Sequence, residues 1–382
     1  MTNSWNKIKA FITRFKDLAS LGFANIITNV ISGFFWLYVA ALLGTEHYGE
    51  VSYLLAVCGI SGVISFLGAG NTVTVYAAKG VKILPPVYFI TIASGLITSV
   101  VLFFFFYNIG VSLYVVGYVL FGLAGSEVLG RKMYKSYSKY IIIQKLLLVV
   151  LAIALYYIMG PHGVILGFAL SFLPFSVRAY KTFKGTRIDF SVLRSHKGFI
   201  ANSYILDLSR AFSSFTDKLI VGPMFGFVLL GNYSLGIQFF SLLTIIPVIV
   251  YQFVLPQDAS GRPHMKLKKV TVLISVVLTI VGVLIPPLVL PVLFPKFTHA
   301  IEVIQIISLA TIPATINLMY ISKFLGVENS KIVLKGSGIY LAVQILSILV
   351  LGKLFSINGV AAALVLANSA ETIFLVSMIR KK

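Results

Sequence analysis

The feature that most constrains this sequence is a succession of long apolar runs separated by short polar breaks. A helix needs roughly 20 apolar residues to cross a hydrocarbon core about 30 Å thick, and the runs have that length. Strands of a membrane barrel would instead alternate in polarity over about ten residues. Since 58% of the residues are hydrophobic and only 11% are charged, the composition also lies far from that of soluble domains. The sequence therefore predicts an all-α integral membrane protein.

Twelve membrane-spanning helices, called spans 1 to 12 below, are predicted from these runs. The spans lie at about 20–43, 51–77, 85–107, 110–130, 140–159, 162–179, 199–222, 227–255, 270–294, 300–324, 332–352 and 357–379. Lysine and arginine provide an independent test, because both are enriched in cytoplasmic loops. Only Lys296 and Lys353 fall in loops on the side opposite the N-terminus. Lys145, Arg210 and Lys218 fall within spans, which leaves 26 of the 31 basic residues on the N-terminal side.

This asymmetry predicts a multi-pass protein of the plasma membrane with both termini in the cytoplasm. The net charge of +20 follows from the same orientation, so nucleic acid is not an expected partner. Membrane lipid is an expected partner, because basic cytoplasmic loops are attracted to anionic lipid. We expect the protein to function as a monomer.

The polar connector at 181–198 divides the spans into two halves of six. We predict an N-terminal lobe at 1–180, a C-terminal lobe at 199–382, and a cytoplasmic amphipathic helix in the connector. A short pattern recurs at an offset of 182 residues, formed by Gly44, Gly49, Ser52 and by Gly226, Gly231, Ser234. Because each half has an even number of spans, the two halves share one orientation and should be related by an axis along the membrane normal.

Span 7 carries a stripe of polar and charged residues. On an ideal helix Ser203, Asp207, Arg210 and Ser214 lie within an arc of about 100°. Arg210 lies roughly 17 Å into the membrane, where a lipid-facing charge costs about 2.5 to 3.5 kcal/mol. Asp217 lies closer to the outer surface, so we expect Asp207 and Arg210 to carry the full cost of burial and to pair at i, i+3.

A milder stripe occurs in span 1, where Asn25, Asn29 and Ser32 share a face with Trp36. The offset of 182 places Asn25 on Asp207 and Ser32 on Ser214. One interpretation is that both stripes line a water-accessible cavity, with Arg210 binding an anionic group through its planar guanidinium. The other interpretation is a buried ion pair and asparagines that hold neighbouring helices together. The candidate substrate-binding residues are Arg210, Asp207, Ser203, Ser214, Asn25, Asn29, Ser32 and Lys145.

Other polar residues within the spans lead to further predictions. Glu127, Glu302 and Glu371 lie close enough to span ends for us to expect solvated carboxylates. Asp217, together with Asn368 and Glu371, forms a candidate ion-coupling site for Na⁺ or H⁺. The single cysteine and the five histidines have no metal-ligand spacing, so neither a metal site nor a cofactor is predicted.

Several segments resemble one known family. The segment "LASLGFANIITNVISGFFWLYVAALLGTEHYGEVSYLLAV" is similar to the first two helices of polysaccharide flippases of the O-antigen and teichoic-acid type. These flippases belong to the multidrug/oligosaccharidyl-lipid/polysaccharide (MOP) exporter superfamily. "FTDKLIVGPMFGFVLLGNYSLGIQFF" resembles their helix 7 and the start of their helix 8. "VLPQDAS" and "LFPKFTHAIEVIQIISLATIP" are likewise similar. The sequence departs from the family in its tight loops after spans 2 and 8.

The resemblance implies two six-helix lobes that form a V-shaped bundle around a central cavity and alternate between inward-open and outward-open states. It also implies the substrate, a glycan carried on a polyprenyl (di)phosphate, which is flipped from the cytoplasmic to the outer leaflet. By position, Arg210 would meet the lipid pyrophosphate, assisted by Lys145.

Three alternative functions remain open at this stage. A multidrug exporter of the same superfamily would be expected to have an unpaired acid at the cavity floor. A membrane glycan polymerase or ligase would need a large outer loop for its catalytic groups, and every outer loop here is about 10 residues or shorter. We therefore predict that the protein is not an enzyme. An assembly subunit without transport activity is the third alternative.

Overall fold

The computed structural model describes residues 2–183, 188–262, 264–297 and 299–380, with side chains described from residue 22 to 378. These residues contain no strand, so the predicted all-α fold is confirmed. A 3-10 turn, Leu173–Phe175, lies between α6 and α7 as defined next. In chain order the helices are α1 (Thr2–Phe66), α2 (Ala69–Ala78), α3 (Leu84–Phe106), α4 (Ile109–Gly130), α5 (Tyr134–Met159), α6 (Pro161–Leu170), α7 (Ser176–Phe183), α8 (Ser191–Ser195), α9 (Lys197–Phe225), α10 (Phe227–Leu243), α11 (Ile245–Ala259), α12 (Met265–Leu284), α13 (Pro286–Leu293), α14 (Ala300–Ser308), α15 (Thr311–Gly326) and α16 (Ser330–Arg380).

These helices account for the twelve predicted spans. Within the described residues, eight helical stretches are long and apolar enough to cross a membrane, or nine if the α10–α11 pair, bent by 48°, is one span. Two of the eight contain two spans each, because backbone breaks interrupt α1 at Gly44 and α16 at Ser356. The remaining span is α9, which is not among the eight apolar stretches and carries five charged residues. The twelve-helix prediction is therefore confirmed.

Local sequence signals explain several helix ends. The side chain of Asn108 caps α4, since its Oδ1 accepts a hydrogen bond from the backbone N–H of Val111 at 3.2 Å. Pro85 and Pro86 lie in the first turn of α3, where backbone N–H groups need no intrahelical partner. Gly44 has a φ of 75°, which suits a residue without a Cβ and permits the sharp break in α1.

The chain packs into two compact units. The first comprises the chain up to Phe35 and Val57–Ala211, and the second comprises Trp36–Ala56 and the chain from Phe212 onward. Helices α1 and α9 therefore contribute to both units. This packing does not test the predicted lobe boundaries at 180 and 199, which stay a prediction. Residues 184–187 of the predicted connector helix lie outside the described residues, whereas α8 and the start of α9 lie within them.

Each unit has its own apolar core. In the first unit, Val73 of α2, Tyr88 of α3 and Leu123 of α4 are fully buried in one cluster. In the second unit, the cluster contains Tyr233 of α10 and Ile348 of α16, both fully buried. The hydroxyl groups of these two buried tyrosines each donate to a carboxylate, Tyr88 to Glu127 and Tyr233 to Asp217.

Candidate functional site

The polar stripe of α9 is uncovered in its middle. Ser203 is buried, and 21% of the Asp207 side chain is exposed. The Arg210 side chain is 76% exposed, and its Nη1 lies 3.9 Å from Oδ1 of Asp207. Ser214, one turn further on, is also exposed. The predicted i, i+3 pair is therefore present, but Arg210 is not packed into a helix interface.

The stripe of α1 is partly uncovered as well. Asn29 is exposed, while Asn25 and Ser32 are half-buried. By contrast Thr28, on the neighbouring face, is buried and donates to the backbone carbonyls of Ala24 and Asn25 at 2.9 and 3.0 Å. The asparagines of this stripe thus present amide groups at the surface of the first unit, where they can form hydrogen bonds with a ligand or with water.

Lys145 has a different environment from the stripe residues. It is half-buried, and its Nζ lies 5.7 Å from the centroid of the Phe168 ring, a cation–π geometry between α5 and α6. Within the described residues, Lys145 forms no hydrogen bond or ion pair with Asp207 or Arg210. A role of Lys145 beside Arg210 stays a prediction.

Asp217 corrects the expectation about which charges are buried. Asp217 is only 4% exposed, so the expectation that Asp207 and Arg210 alone would bear the cost of burial was wrong. The reason is that α10 covers Asp217 and supplies a partner, because the hydroxyl group of Tyr233 donates to Oδ2 at 3.0 Å. The backbone N–H of Lys218 donates to Oδ1 at 2.8 Å, and Nζ of Lys218 lies 3.5 Å away.

Glu127 was also expected to be solvated and is instead 3% exposed. The hydroxyl group of Tyr88 donates to its carboxylate at 2.8 Å, and Nε of Arg131 donates at 2.8 Å. Arg178 donates through both Nε and Nη2, at 3.1 and 3.0 Å, and Thr182 lies 3.4 Å from the same carboxylate. Arg131 follows Glu127 at i+4, a spacing that was readable in the sequence as a stabilising pair.

The third expected solvated acid, Glu371, is 7% exposed, so this expectation was wrong too. Nδ2 of Asn317 donates to Glu371 at 3.1 Å and to the backbone carbonyl of Asn368 at 3.0 Å. The hydroxyl group of Thr372 completes the network by donating to Oδ1 of Asn317 at 2.6 Å. Of the three acids, only Glu302 is exposed as expected, and its carboxylate accepts a hydrogen bond from Nδ2 of Asn358 at 2.8 Å.

The candidate ion-coupling residues all belong to the second unit. Asn368 and Glu371 share Asn317 as a hydrogen-bond donor. Tyr340, on the first half of α16, interacts electrostatically with both Asp217 and Glu371. In the described part of the chain, no group of three or more His, Cys, Asp or Glu side chains could hold a metal ion.

The repeated glycine pattern forms a helix crossing with local two-fold character. Gly44 and Gly226 both have positive φ, 75° and 91°, at equivalent helix breaks. A Cβ on Gly49 would lie 1.9 Å from the carbonyl oxygen of Phe227, and a Cβ on Gly231 would lie 1.8 Å from that of Thr45. Thr45 and Phe227 are themselves 182 residues apart, as are the two glycines. Each glycine therefore contacts the backbone of the other's repeat.

A cavity of about 160 Å³ lies in the same part of the second unit, and most of its lining residues occur in pairs that are 182 positions apart. Its lining contains Trp36, Ser52, Leu55 and Ala56, and the residues 182 positions later, which are Lys218, Ser234, Ile237 and Gln238. Tyr48 and Phe215 complete it. Sequence reasoning found Ser52 and Ser234 but missed the cavity, because a pattern of small residues does not reveal the space between them.

The chain is similar to known proteins in structure but not detectably in sequence. No family model matches the chain, and no curated protein matches it in sequence. Among solved structures, an inward-closed conformation of the lipid II flippase MurJ is 13% identical, covers 94% of this chain and 87% of its own, and has a TM-score of 0.75. An inward-facing multidrug resistance transporter of the MATE family, within the MOP superfamily, is 15% identical, covers 92% and 94%, and has a TM-score of 0.72.

The chain has the fold of the MOP transporters. An outward-facing MATE transporter agrees, with a TM-score of 0.61 at 16% identity over 94% of this chain and 93% of that one. At these identities the likeness concerns the fold alone. Membership of the O-antigen type of flippase, which the sequence resemblance suggests, stays a prediction.

Proposed function

We propose that this protein is a transporter that flips an oligosaccharide linked to a polyprenyl (di)phosphate from the cytoplasmic to the outer leaflet. The observation that carries the proposal is the exposed Arg210 near the middle of a membrane-spanning helix. An arginine facing lipid at that depth would cost about 2.5 to 3.5 kcal/mol, so the uncovered side chain favours a water-accessible surface. Its guanidinium has the planar fork that binds phosphate oxygens through two parallel hydrogen bonds.

The neighbouring stripe residues suit the rest of such a substrate. Ser214 and the α1 residues Asn25, Asn29 and Ser32 are exposed or half-buried, uncharged donors and acceptors, as sugar hydroxyl groups require, whereas Ser203 is buried and would act only by supporting the stripe. Asp207 would hold the guanidinium of Arg210 in place, and Lys145 is proposed as a second cation for the phosphate. The fold shared with a lipid II flippase supports a lipid-linked cargo moved by alternating access between two states.

A multidrug exporter is the second candidate function, because MATE exporters have the same fold. Asp207 on the same stripe would be the acid that attracts a cationic drug. The side chain of Arg210 is much more exposed than that of Asp207, and this difference favours an anionic substrate over a cationic one. We infer that the chain is not an enzyme, in keeping with the short outer loops and with the transporter neighbours.

Ion coupling is proposed for the second unit. Glu371 is buried and, within the described residues, forms no ion pair, so a proton or a Na⁺ ion could compensate its charge. Asp217 and Asn368 would be its nearest candidate partners, through Tyr340 and Asn317. The proposed location is the plasma membrane, with both termini in the cytoplasm, a monomeric state and no nucleic-acid partner.

Translocation in proteoliposomes tests the proposal. A polyprenyl-diphosphate oligosaccharide with a fluorescent label would be placed in the inner leaflet, and its appearance outside measured for wild type, Arg210→Ala and Arg210→Lys. Loss of a hydrogen bond to a charged group is worth about 1.5 to 3 kcal/mol, so the alanine variant should be slower by roughly tenfold or more, and the lysine variant by less. Lys353→Ala, which removes an exposed charge near the backbone break in α16, is the matched control.

Unchanged translocation by a correctly inserted Arg210→Ala variant would refute the anion contact. Transport of a cationic dye by the same vesicles, lost in Asp207→Asn but kept in Arg210→Ala, would favour the exporter instead. Imposed Na⁺ or pH gradients address coupling, which we expect to disappear in Glu371→Gln.

A further inference from the structure

A second polar site lies away from the stripes, at one end of the first unit. It is a cavity of about 530 Å³ at the ends of α2 and α4, the start of α3 and the helix α7. This end carries the basic residues that predict a cytoplasmic location. The lining combines basic side chains and one carboxylate with a group of apolar residues.

The cavity has a large excess of positive charge. Four cations, Lys82, Arg131, Arg178 and Lys181, line it together with one carboxylate, which leaves a net charge of three. Lys82 and Lys181 are exposed and form no ion pair with any described residue. The potentials of cations that share a concave wall add together, which favours binding of an anion.

Glu127 positions the two arginines without using up their donors. It engages Nε and Nη2 of Arg178 and Nε of Arg131. A guanidinium has five N–H donors, so three remain on Arg178 and four on Arg131. Because Arg178 is only 22% exposed and is held at two points, little side-chain freedom is lost when it binds an anion.

The remaining wall of the cavity is apolar. Val81, Leu84 and Pro85 lie beside the cations. A wall of this kind adds favourable burial for a ligand that joins a phosphate group to a hydrocarbon or glycerol portion. From the charge, the free donors and the apolar wall, we infer that this cavity binds a phosphate group, as presented by the headgroup of an anionic membrane lipid or by free phosphate.

The second unit has a counterpart made from the same helices of its repeat. A cavity of about 580 Å³ lies at the start of α12, the end of α15 and the end of α16, which correspond in order to spans 9, 10 and 12. Lys268, Lys269 and Lys323 line it, and Asp258 of α11, which is not part of the lining, pairs with the buried Lys268. The cavity of the first unit is built by the end of α2 together with spans 3, 4 and 6. A cavity lined by basic residues therefore occurs in both repeats, at corresponding spans.

The test compares two matched pairs of substitutions. Lys82→Ala/Lys181→Ala removes the two unpaired cations of the cavity, and Lys135→Ala/Lys139→Ala removes two exposed lysines from the nearby start of α5, outside the cavity. Full-length protein in phosphatidylcholine nanodiscs would be titrated with short-chain phosphatidic acid, short-chain phosphatidylcholine or inorganic phosphate. The readout is the apparent affinity from the shift in melting temperature.

We expect phosphatidic acid to stabilise the wild-type protein and the control pair, and its apparent affinity to fall roughly tenfold or more in the cavity pair. Phosphatidylcholine should have little effect. If inorganic phosphate reproduces the same difference, free phosphate rather than lipid is the ligand. The inference would be overturned by an equal loss of affinity in both pairs, or by no preference for phosphatidic acid over phosphatidylcholine together with no stabilisation by inorganic phosphate. Since no stripe residue is altered, the outcome is independent of the proposed transport function.

Discussion

The glycine crossing of the second unit gives a prediction with a magnitude. Replacing Gly49 or Gly231 with alanine places a Cβ 1.9 or 1.8 Å from a backbone carbonyl oxygen. Close carbon–oxygen contacts across helix interfaces are about 3.3 to 3.6 Å, so the two helices would have to separate by about 1.5 Å. A backbone carbonyl cannot rotate away as a side chain would, and the strain is therefore shared by the whole crossing.

Overpacking of this kind costs about 1 to 3 kcal/mol, and the better helix propensity of alanine offsets up to about 1 kcal/mol. With a net loss of about 1 to 2 kcal/mol, we expect the melting temperature to fall by roughly 2 to 8 °C. Gly338→Ala is the matched control, because a Cβ there would meet no atom within 4 Å. That substitution should leave the melting temperature unchanged or raise it slightly.

The assay is the loss of monodisperse protein on heating, measured by size-exclusion chromatography in detergent. In the double variant Gly49→Ala/Gly231→Ala, one displacement of the helices relieves both clashes, so the combined shift should be smaller than the sum of the single shifts. A melting temperature for Gly49→Ala equal to that of Gly338→Ala would refute the close approach of the two backbones. Fully additive shifts would show that the two contacts are independent.

Two further predictions concern buried carboxylates. Glu127→Gln leaves Arg178 without its counter-charge and should destabilise the first unit by about 3 kcal/mol. Maleimide labelling of Cys58, which is fully buried, reports the opening of that unit, and equal labelling of Glu127→Gln and the exposed control Glu302→Gln would contradict the prediction. Tyr233→Phe removes the hydrogen bond to Asp217 and should cost about 1 to 3 kcal/mol, measured as a lower melting temperature. Tyr107→Phe, at a residue that is 79% exposed, is its control, and matching shifts would argue against a stabilising bond.

The sequence by itself determined the helical class, the number of spans and the internal repeat. These properties depend only on features that are local in the chain, such as the length of an apolar run, or on a constant spacing between similar residues. Gly44 and Gly226 break their helices because of their own backbone freedom, and the spacing of Asp207 and Arg210 places them on one face of any helix.

Only the tertiary structure decided which charges are buried. Depth along a helix predicted solvated carboxylates at Glu127 and Glu371, yet both are covered, because partners distant in the chain surround them. The hydroxyl group that reaches Glu127 belongs to Tyr88, 39 residues earlier, and the amide that reaches Glu371 belongs to Asn317, 54 residues earlier. The environment of a charge depends on the helices that pack against it, and in this protein that packing leaves Arg210 uncovered and creates the basic cavity around Glu127.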